Sequence, residues 1–408
     1  MANKKIHIIG GGTVFHIAPH FAISSVAYGK TARQIFHTCK TAKDLDSYLH
    51  LTKMAGGNDL ETNADVEKLI DKLVDDPTTK IVFLNAALCD WESDKHGERL
   101  ETRKTPEYQL NLKPSKKIVG KIRTKRKDIF AVAFKVTSGA TPDEQYIKGL
   151  NLLKEASVNL VLANDIKTKL NMVITPEEAR YHETTNRDGA LQGLVQMTLL
   201  RSHLTFTRST VIAGEAVPWS SELIPETLRK VVDHCIGQGA YKPFRGATVG
   251  HFACKLNDTT FLTSIRKSNF NDLDKIGLVR IETDGPDSVI AYGAKPSVGG
   301  QSQRIVFNDH KEYDCIVHAH VPIKADSEVP QVSQMEYECG SHQCGENTSK
   351  GLKKFGNLSA VYLKEHGPNV VFNQSANPQE IIDFIEANFD LKGKTGGYVD
   401  LGAILAAN

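Results

Sequence analysis

The chain contains 408 residues, of which 40% are hydrophobic and 24% charged, the balance of an ordinary globular protein long enough for two or three domains. The net charge of +2 argues against nucleic-acid binding, which needs a strongly basic surface, and no apolar run is long enough to span a membrane. Residues 1–5 lead straight into an apolar stretch instead of a secretory signal, and the 7 cysteines are scattered, as reduced thiols are. We therefore expect a cytoplasmic protein with no nucleic-acid or membrane partner.

The first half of the chain alternates short apolar runs with amphipathic stretches. The predicted strands cover residues 6–9, 33–38, 80–84, 129–134 and 160–163. The predicted helices cover residues 17–28, 44–54, 66–73 and 143–156. Strands that alternate with helices are typical of an α/β fold. We therefore predict a doubly wound parallel sheet for this half.

A glycine-rich segment, Gly10–Thr13, follows the first predicted strand. Glycine permits a tight turn and lets backbone N–H groups approach a phosphate closely. The segment lacks the full spacing of the dinucleotide-binding fingerprint. A phosphate-binding turn and a plain strand-to-helix turn are therefore equally compatible with it.

Four strand-end motifs occur in the order and spacing of phosphopantothenoylcysteine synthetase, and residues 4–200 resemble that family. The motifs are Gly10–Thr13, Ala86–Trp91, Ala133–Thr137 and Leu162–Asp165. The resemblance implies a Rossmann-like dimer that uses CTP or ATP to activate a carboxylate before an amine attacks it. Carried over residue by residue, it implies nucleotide contacts for Gly11, Gly12, Thr13, Ala87, Asp90, Phe134, Lys135 and Asn164.

The first half also departs from this family. The Ser-Ser-Gly-Lys loop, with the asparagine that holds the acyl intermediate, is not recognisable after the first strand, where Phe15–His20 stands instead. Thr137 occupies the position of the usual glutamate. These departures favour a nucleotide-like ligand over complete amide ligation.

Residues 209–222 have the composition of a linker, so we expect two domains, 1–215 and 222–408. The predicted strands of the second half cover residues 248–256, 260–264, 276–282, 288–292, 315–320, 360–364 and 370–373. Its predicted helices cover residues 224–236, 303–308 and 378–389.

Two histidines, His318 and His320, end the apolar run that begins at Cys315. Residues i and i+2 of a strand point to the same side, so both side chains are expected to project together. His366 ends another apolar run, 360–363. Three imidazoles at neighbouring strand ends can hold a divalent metal and leave one position open for substrate.

Residues 223–390 resemble the class II aldolase/adducin fold. The motifs that carry the resemblance are Gly250–Ala253, Leu262–Ser264, Lys295–Ser297, Val317–His320 and Leu363–Gly367. The resemblance implies an α/β/α domain, a tetrameric assembly, and zinc or another divalent metal held by His318, His320 and His366. The metal would stabilise an enediolate in retro-aldol, epimerase or dehydratase chemistry.

This half departs from its family as well. The position of the acid/base glutamate falls on Gly299, and the usual Gly-Asn pair becomes Gly250-His251. We expect Glu338 or His342 to transfer protons instead.

The family's phosphate-binding serines are reduced to Ser297. Arg266 or Lys267 is expected to replace the lost contacts to an anionic substrate.

Three hypotheses follow. The first is a two-domain enzyme in which a divalent-metal-dependent lyase or isomerase acts on a small phosphorylated or nucleotide-linked carbonyl compound. The second is a CTP- or ATP-dependent carboxylate–amine ligase. The third is a non-catalytic binding or assembly module that retains both folds. A nucleotide, a small anionic substrate and a homo-oligomer are the expected partners.

Overall fold

The computed structural model describes residues 3–42, 44–95, 97–99, 101, 103 and 107–396, with the backbone alone for residues 300–302. The chain folds as two compact units. The first comprises the described residues up to 176 together with 180–202, and the second comprises 177–179 and the described residues from 203 onward. No helix in the described part of the chain is long and apolar enough to cross a membrane.

The second unit begins earlier in the chain than the expected boundary at 215–222. Arg208–Ile212 forms a strand that pairs in parallel with Ser288–Tyr292. Because that pairing places it in the sheet of the second unit, the first part of the linker-like segment belongs to that unit.

The first unit is built from strands and helices that largely alternate. Its strands are β1 (Lys4–Gly12), β2 (Val14–Ala18), β3 (Phe21–Ser24), β4 (Leu45–Leu51), β5 (Thr79–Ala87), β6 (Trp91–Glu92), β7 (Lys113–Pro114), β8 (Phe130–Thr137), β9 (Leu160–Asp165), β10 (Asn171–Ile174) and β11 (Arg180–Thr184). Its helices are α1 (Lys30–Cys39), α2 (Asn63–Asp75), α3 (Lys121–Lys125), α4 (Pro142–Ala156) and α5 (Arg187–Arg201).

The main sheet of this unit has the order β11-β10-β9-β8-β5-β1-β4. The five strands from β9 to β4 are parallel, and β10 and β11 are antiparallel additions at one edge. The predicted doubly wound parallel sheet is confirmed. The carboxyl ends of β1, β5, β8 and β9 therefore lie side by side along one edge.

Three local predictions in the first 54 residues are wrong. The predicted helix over 17–28 is the β2–β3 hairpin, the predicted strand over 33–38 lies in helix α1, and the predicted helix over 44–54 contains strand β4. Helix α1 buries Ala32, Ile35 and Cys39, a helical spacing that a short apolar run conceals. Strand β4 is an edge strand that pairs with β1 alone, so its burial is incomplete and its alternation is weak.

The second unit contains the remaining elements. Its strands are β12 (Arg208–Ile212), β13 (Pro243–Phe244), β14 (Ala247–Thr248), β15 (His251–Lys255), β16 (Thr260–Thr263), β17 (Val279–Thr283), β18 (Ser288–Tyr292), β19 (Cys315–His318), β20 (Gln331–Val332), β21 (Lys353–Phe355), β22 (Leu358–Leu363) and β23 (Gly367–Phe372). Its helices are α6 (Glu226–Gly237), α7 (Leu273–Ile276), α8 (Val298–Asp309), α9 (His342–Gly351) and α10 (Pro378–Asn388).

This unit has three layers around a mainly antiparallel sheet. Helices α6 and α10 pack on one face, where Val231 and Ile385 share the main core with Val317. Helix α8 packs on the other face, where Val306 contacts the core around Ile316. Val317 and Ile316 are consecutive residues of β19, and consecutive strand residues face opposite sides. The predicted α/β/α architecture is confirmed.

Candidate functional site

The centre of the second sheet ends in a group of histidines. His318 is the last residue of β19 and lies opposite His251, the first residue of β15, and Asn369 of β23. His366 immediately precedes β23, and His320 lies two residues beyond the end of β19. Three adjacent strands therefore bring these side chains to one edge of the sheet.

Two glycines set how closely these backbones approach one another. Gly367 has φ +133°, and a Cβ atom there would lie 2.1 Å from the carbonyl oxygen of Ala319. Gly250 has φ +118°, and a Cβ atom there would lie 2.7 Å from the carbonyl oxygen of His318. Both positions need glycine, because other residues rarely adopt these angles and would collide with the segment between the two histidines.

The three predicted ligands converge. The ring centroids of His318 and His320 are 5.1 Å apart, those of His318 and His366 are 4.6 Å apart, and those of His320 and His366 are 4.8 Å apart. One nitrogen from each ring lies within 4.8 Å of the others. All three residues are buried. This is the arrangement expected of three imidazole ligands of one metal ion.

The hydrogen bond of His318 fixes which nitrogen is available. Its Nδ1–H donates to the carbonyl oxygen of Pro368 at 2.8 Å, so Nε2 carries the lone pair. That Nε2 atom is buried and has no hydrogen-bond partner in the described structure. A metal-binding histidine typically donates its other ring N–H to a carbonyl or carboxylate in this way.

Burial also keeps His318 in the neutral form. It lowers the pKa of His318 from 6.5 to about 4, against a smaller opposing effect of the Pro368 carbonyl. A neutral imidazole is the form that binds metal. The donor set, the burial and the unpartnered Nε2 atom of His318 fit a divalent metal ion.

The residues expected to transfer protons lie near the start of α9. Glu338 is half-buried in the turn before that helix. His342 is the first residue of α9, and its imidazole contacts Thr207 Oγ1 at 2.9 Å and Asp287 at 3.5 Å. Burial lowers the pKa of His342. In the described structure neither residue is part of the three-histidine group.

The residues expected to bind an anion lie on two joined loops. Ser297 precedes α8, and its backbone N–H donates to the carbonyl oxygen of Ser264 at 2.9 Å. The Arg266 N–H donates to the carbonyl oxygen of Lys295 at 2.9 Å. The side chains of Arg266 and Lys267 are exposed. The hydroxyl of Ser264 is buried without a hydrogen-bond partner among the described residues, and the sequence analysis names Ser264 only within a motif, without a role in the site.

In the first unit the predicted nucleotide residues follow the carboxyl edge of four adjacent parallel strands. Open α/β sheets bind ligands at such an edge. The residues are Gly11 and Gly12 at the end of β1, Thr13 just after it, Ala87 at the end of β5, Asp90 beyond it, Phe134 and Lys135 in β8, and Asn164 in β9. The exposed Asp90 carboxylate accepts a hydrogen bond from Lys117 Nζ at 2.6 Å.

The glycine-rich segment is not the turn that the sequence predicted. Gly10–Gly12 are the last three residues of β1. The Gly12 N–H donates to Ala27 O at 2.7 Å and the Thr13 N–H donates to Ala87 O at 3.0 Å. These two donors are used within the protein, so a phosphate cradle formed by them is excluded.

Thr137 and Asp165 hold a loop together. The Thr137 hydroxyl donates to the Asp165 carboxylate at 2.8 Å. That carboxylate also accepts backbone N–H bonds from Gly139, Ala140 and Thr168. These hydrogen bonds outweigh the effect of burial and keep the pKa of Asp165 well below its usual value. Thr137, at the position of the expected glutamate, therefore has a structural partner.

The residue types of the Ser-Ser-Gly-Lys loop, which is not recognisable after β1, occur further along the chain. Ser24 and Ser25 close the β2–β3 hairpin, and Gly29 and Lys30 begin helix α1. The intervening residues include the exposed Val26 and Tyr28. Two serines and a Gly-Lys pair therefore flank residues 26–28.

Comparison with protein families supports the assignment of the first half. Residues 1–191 match the model of the DNA/pantothenate metabolism flavoprotein C-terminal domain. The first unit is similar to this domain. A comparison with curated proteins found no match.

Solved structures resemble each half separately. The DNA/pantothenate metabolism flavoprotein from Streptococcus pneumoniae is 17% identical, with 48% of this chain and 100% of that chain covered and a TM-score of 0.40. L-fuculose 1-phosphate aldolase is 14% identical, with 46% and 98% covered and a TM-score of 0.30. YgbL from Escherichia coli is 17% identical, with 45% and 96% covered and a TM-score of 0.29. Both resemblances predicted from the sequence recur here.

Proposed function

We propose that the second unit is a divalent-metal-dependent lyase or isomerase that acts on a small anionic carbonyl compound. The convergence of His318, His320 and His366, with the unpartnered Nε2 atom of His318, is the observation that carries this proposal. A buried imidazole nitrogen without a partner, grouped with two further buried imidazoles, is readily explained by the binding of a cation.

The roles of the chain's own residues follow from their positions. The three histidines would hold the metal, and the Pro368 carbonyl orients His318. A bound divalent ion supplies Lewis acidity to a substrate carbonyl oxygen. Ser297 and the neighbouring Arg266 would bind the anionic group of the substrate, since their loops are joined by backbone hydrogen bonds.

We further propose Glu338 as the proton-transfer residue. Gly299 offers no carboxylate, whereas Glu338 is a half-buried carboxylate in the segment before α9. Glu338→Gln should retain the metal and lose activity on aldol-type substrates. If this variant keeps full activity, another residue transfers the proton.

The test of metal binding is elemental analysis of the purified full-length protein with thermal unfolding in added zinc, manganese or chelator. About one metal ion per chain and a melting temperature raised by that metal are expected. His320→Ala should abolish both effects. His234→Ala is the matched control, because His234 lies in α6 and pairs with Glu386 at 2.9 Å. A wild-type protein that neither contains nor responds to these ions would overturn the proposal.

For the first unit we propose nucleoside triphosphate binding, with CTP or ATP as the ligand. The match of residues 1–191 to the flavoprotein C-terminal domain supports it, as does the alignment of Phe134, Lys135 and Asn164 at one sheet edge. Titration of the full-length protein with CTP and ATP, followed by thermal shift and by pyrophosphate release with candidate acids, separates binding from ligation. Lys135→Ala should weaken binding, whereas Lys154→Ala in helix α4 should not.

A further inference from the structure

We infer that His251 is a positioning residue for the metal ligand His318, and that glycine at position 299 is what admits the His251 ring. This inference rests on the metal site proposed above. It assigns a role to a histidine outside the three-ligand group and explains why no carboxylate stands at position 299.

The ring of His251 lies flat against one ligand. Its centroid is 4.6 Å from that of His318, and the two planes are inclined by 28°. The ligand rings meet one another edge to face, at 64° to 74°. His251 is buried, 6% exposed, and lies opposite His318 in the β15–β19 register. Its face therefore limits the directions in which the His318 ring can turn.

A second side chain holds the His251 ring. The amide Nε2 of Gln303 donates to His251 Nδ1, and the Thr263 hydroxyl lies 3.2 Å from Gln303 Oε1, to which it can donate. Gln303 is 1% exposed and Thr263 is fully buried. Because an amide nitrogen only donates, His251 Nδ1 accepts and the ring proton sits on Nε2. The ring is thus fixed in tautomer and orientation by buried neighbours.

Helix α8 leaves room for this ring only because residue 299 has no side chain. A Cβ atom built on Gly299 would lie 2.0 Å from Cδ2 and 2.2 Å from Nε2 of His251. Real Cβ contacts are not that short, so the present His251 ring and any side chain at position 299 exclude each other. A carboxylate at 299 would therefore require His251 to move away from His318.

These contacts form a continuous line from the sheet to the metal site. Thr263 contacts Gln303, Gln303 holds His251, His251 covers His318, and His318 donates to the Pro368 carbonyl. Residues that orient a ligand typically change metal affinity by 10- to 100-fold when they are replaced. We expect a loss in that range for His251.

The experiment is a cobalt(II) titration of the full-length protein, followed by the visible ligand-field absorption, which reports ligand geometry independently of catalysis. His251→Ala should weaken cobalt binding about 10- to 100-fold and shift the absorption bands. Gly299→Ala should do the same, because its methyl group displaces His251. The double variant should be no weaker than His251→Ala alone. Gly237→Ala is the control, since a Cβ atom there meets nothing within 4 Å.

The outcomes separate the two proposals. If the wild-type protein binds no cobalt, the metal site itself is refuted and this inference with it. If the wild type binds cobalt but His251→Ala keeps its affinity and spectrum, only the role of His251 is refuted. The role of His251 would also be refuted if Gly299→Ala lowered cobalt affinity equally in the wild-type and His251→Ala backgrounds. Such a result would show that the alanine does not act by displacing the His251 ring. If His251→Ala does not fold, as judged by circular dichroism, the spectrum of Gly299→Ala decides.

Discussion

The two candidate sites use their polar groups in opposite ways. At the sheet edge of the first unit, the Thr13 hydroxyl donates to Asn63 Oδ1 at 2.6 Å and accepts from the Cys89 N–H at 2.7 Å. The Asp165 carboxylate accepts hydrogen bonds from several backbone N–H groups. At the sheet edge of the second unit, His318 uses one nitrogen for the protein and leaves the other unpartnered. Thr13 and Asp165 of the first unit therefore support the local fold, whereas His318 of the second unit has a buried nitrogen available for a ligand.

This difference shows that a motif at a strand end does not by itself identify the ligand contacts. In the first unit the side chains proposed to contact a nucleotide are those of Phe134, Lys135 and Asn164. In the second unit the motif residues themselves are the expected contacts. Substitution of Thr13 should therefore affect stability, whereas substitution of the three histidines should affect metal binding.

The largest effect is expected for Gly367→Ala, which changes no ligand. The alanine would have to adopt φ +133° with its Cβ atom 2.1 Å from Ala319 O. Strained backbone and a forced contact each cost about 1–3 kcal/mol, so the free energy of unfolding should fall by about 3 kcal/mol and metal affinity should fall with it. Unfolding of the second unit can be followed by the fluorescence of its buried Trp219. Gly356→Ala is the control, because its φ is also positive but a Cβ atom there meets nothing within 4 Å.

A smaller effect is expected for Thr13→Val in the first unit. Loss of the hydroxyl removes a partner from the buried Cys89 N–H and from Asn63, which should lower the free energy of unfolding by about 1–2 kcal/mol. The affinity for CTP or ATP should change less than twofold. A large loss of nucleotide affinity with unchanged stability would show that Thr13 contacts the nucleotide and does not support the fold. Thr38→Val, in the last turn of α1, is the matched control.

The pH dependence of the first unit should be of similar size and should come partly from His7. Burial, followed by the charge of His50, lowers the pKa of His7 from 6.5 to about 4. Below pH 6.5 the His7 side chain is protonated in the unfolded chain but stays neutral in the folded chain. The contribution of His7 to the free energy of unfolding is therefore complete above pH 6.5 and is lost as the pH falls toward 4. About 1–2 kcal/mol should disappear between pH 7 and pH 5.

The measurement is chemical unfolding at both pH values, read from Trp91 in a Trp219→Phe background. His7→Gln should flatten the pH dependence. An unchanged slope in this variant would show that His7 titrates normally in the folded protein.

The smallest effect is expected for Lys117→Ala. Its ammonium group pairs with Asp90 at 2.6 Å, but both side chains are largely exposed, at 74% and 67%. Exposed ion pairs contribute little to stability, so thermal unfolding should be indistinguishable from wild type. A clear loss of stability would mean that this strand-end pair belongs to the scaffold, as Thr13 does.

The sequence predicted most of the second unit and less of the first. Fully buried strands such as β19 and β22 are mainly apolar runs, a strong local signal. The alternation rule then correctly paired His318 with His320. Helix α1 and the edge strand β4 lack such a signal, because their exposed faces dilute the apolar pattern.

Other features could not be derived from the order of residues. The stacking of His251 on His318 depends on the register of β15 with β19, and the engagement of Gly12 and Thr13 N–H groups depends on Ala27 and Ala87. Both are tertiary contacts between segments separated by at least 14 residues. Sequence periodicity reports which side of an element is buried and does not report what lies against it.

Gly250 and Gly367 carry a consequence for tracing the ancestry of this fold. They clamp the carbonyl oxygens of His318 and Ala319 from both sides, so they restrict the path of the chain whatever side chains it carries. A descendant that abandoned metal chemistry would be free to replace its histidines one by one, but could not add a methyl group at either glycine without reshaping the sheet edge. We therefore expect related sequences to retain the two glycines longer than the histidines. A related chain with both glycines but without the histidines would be one that has lost catalysis.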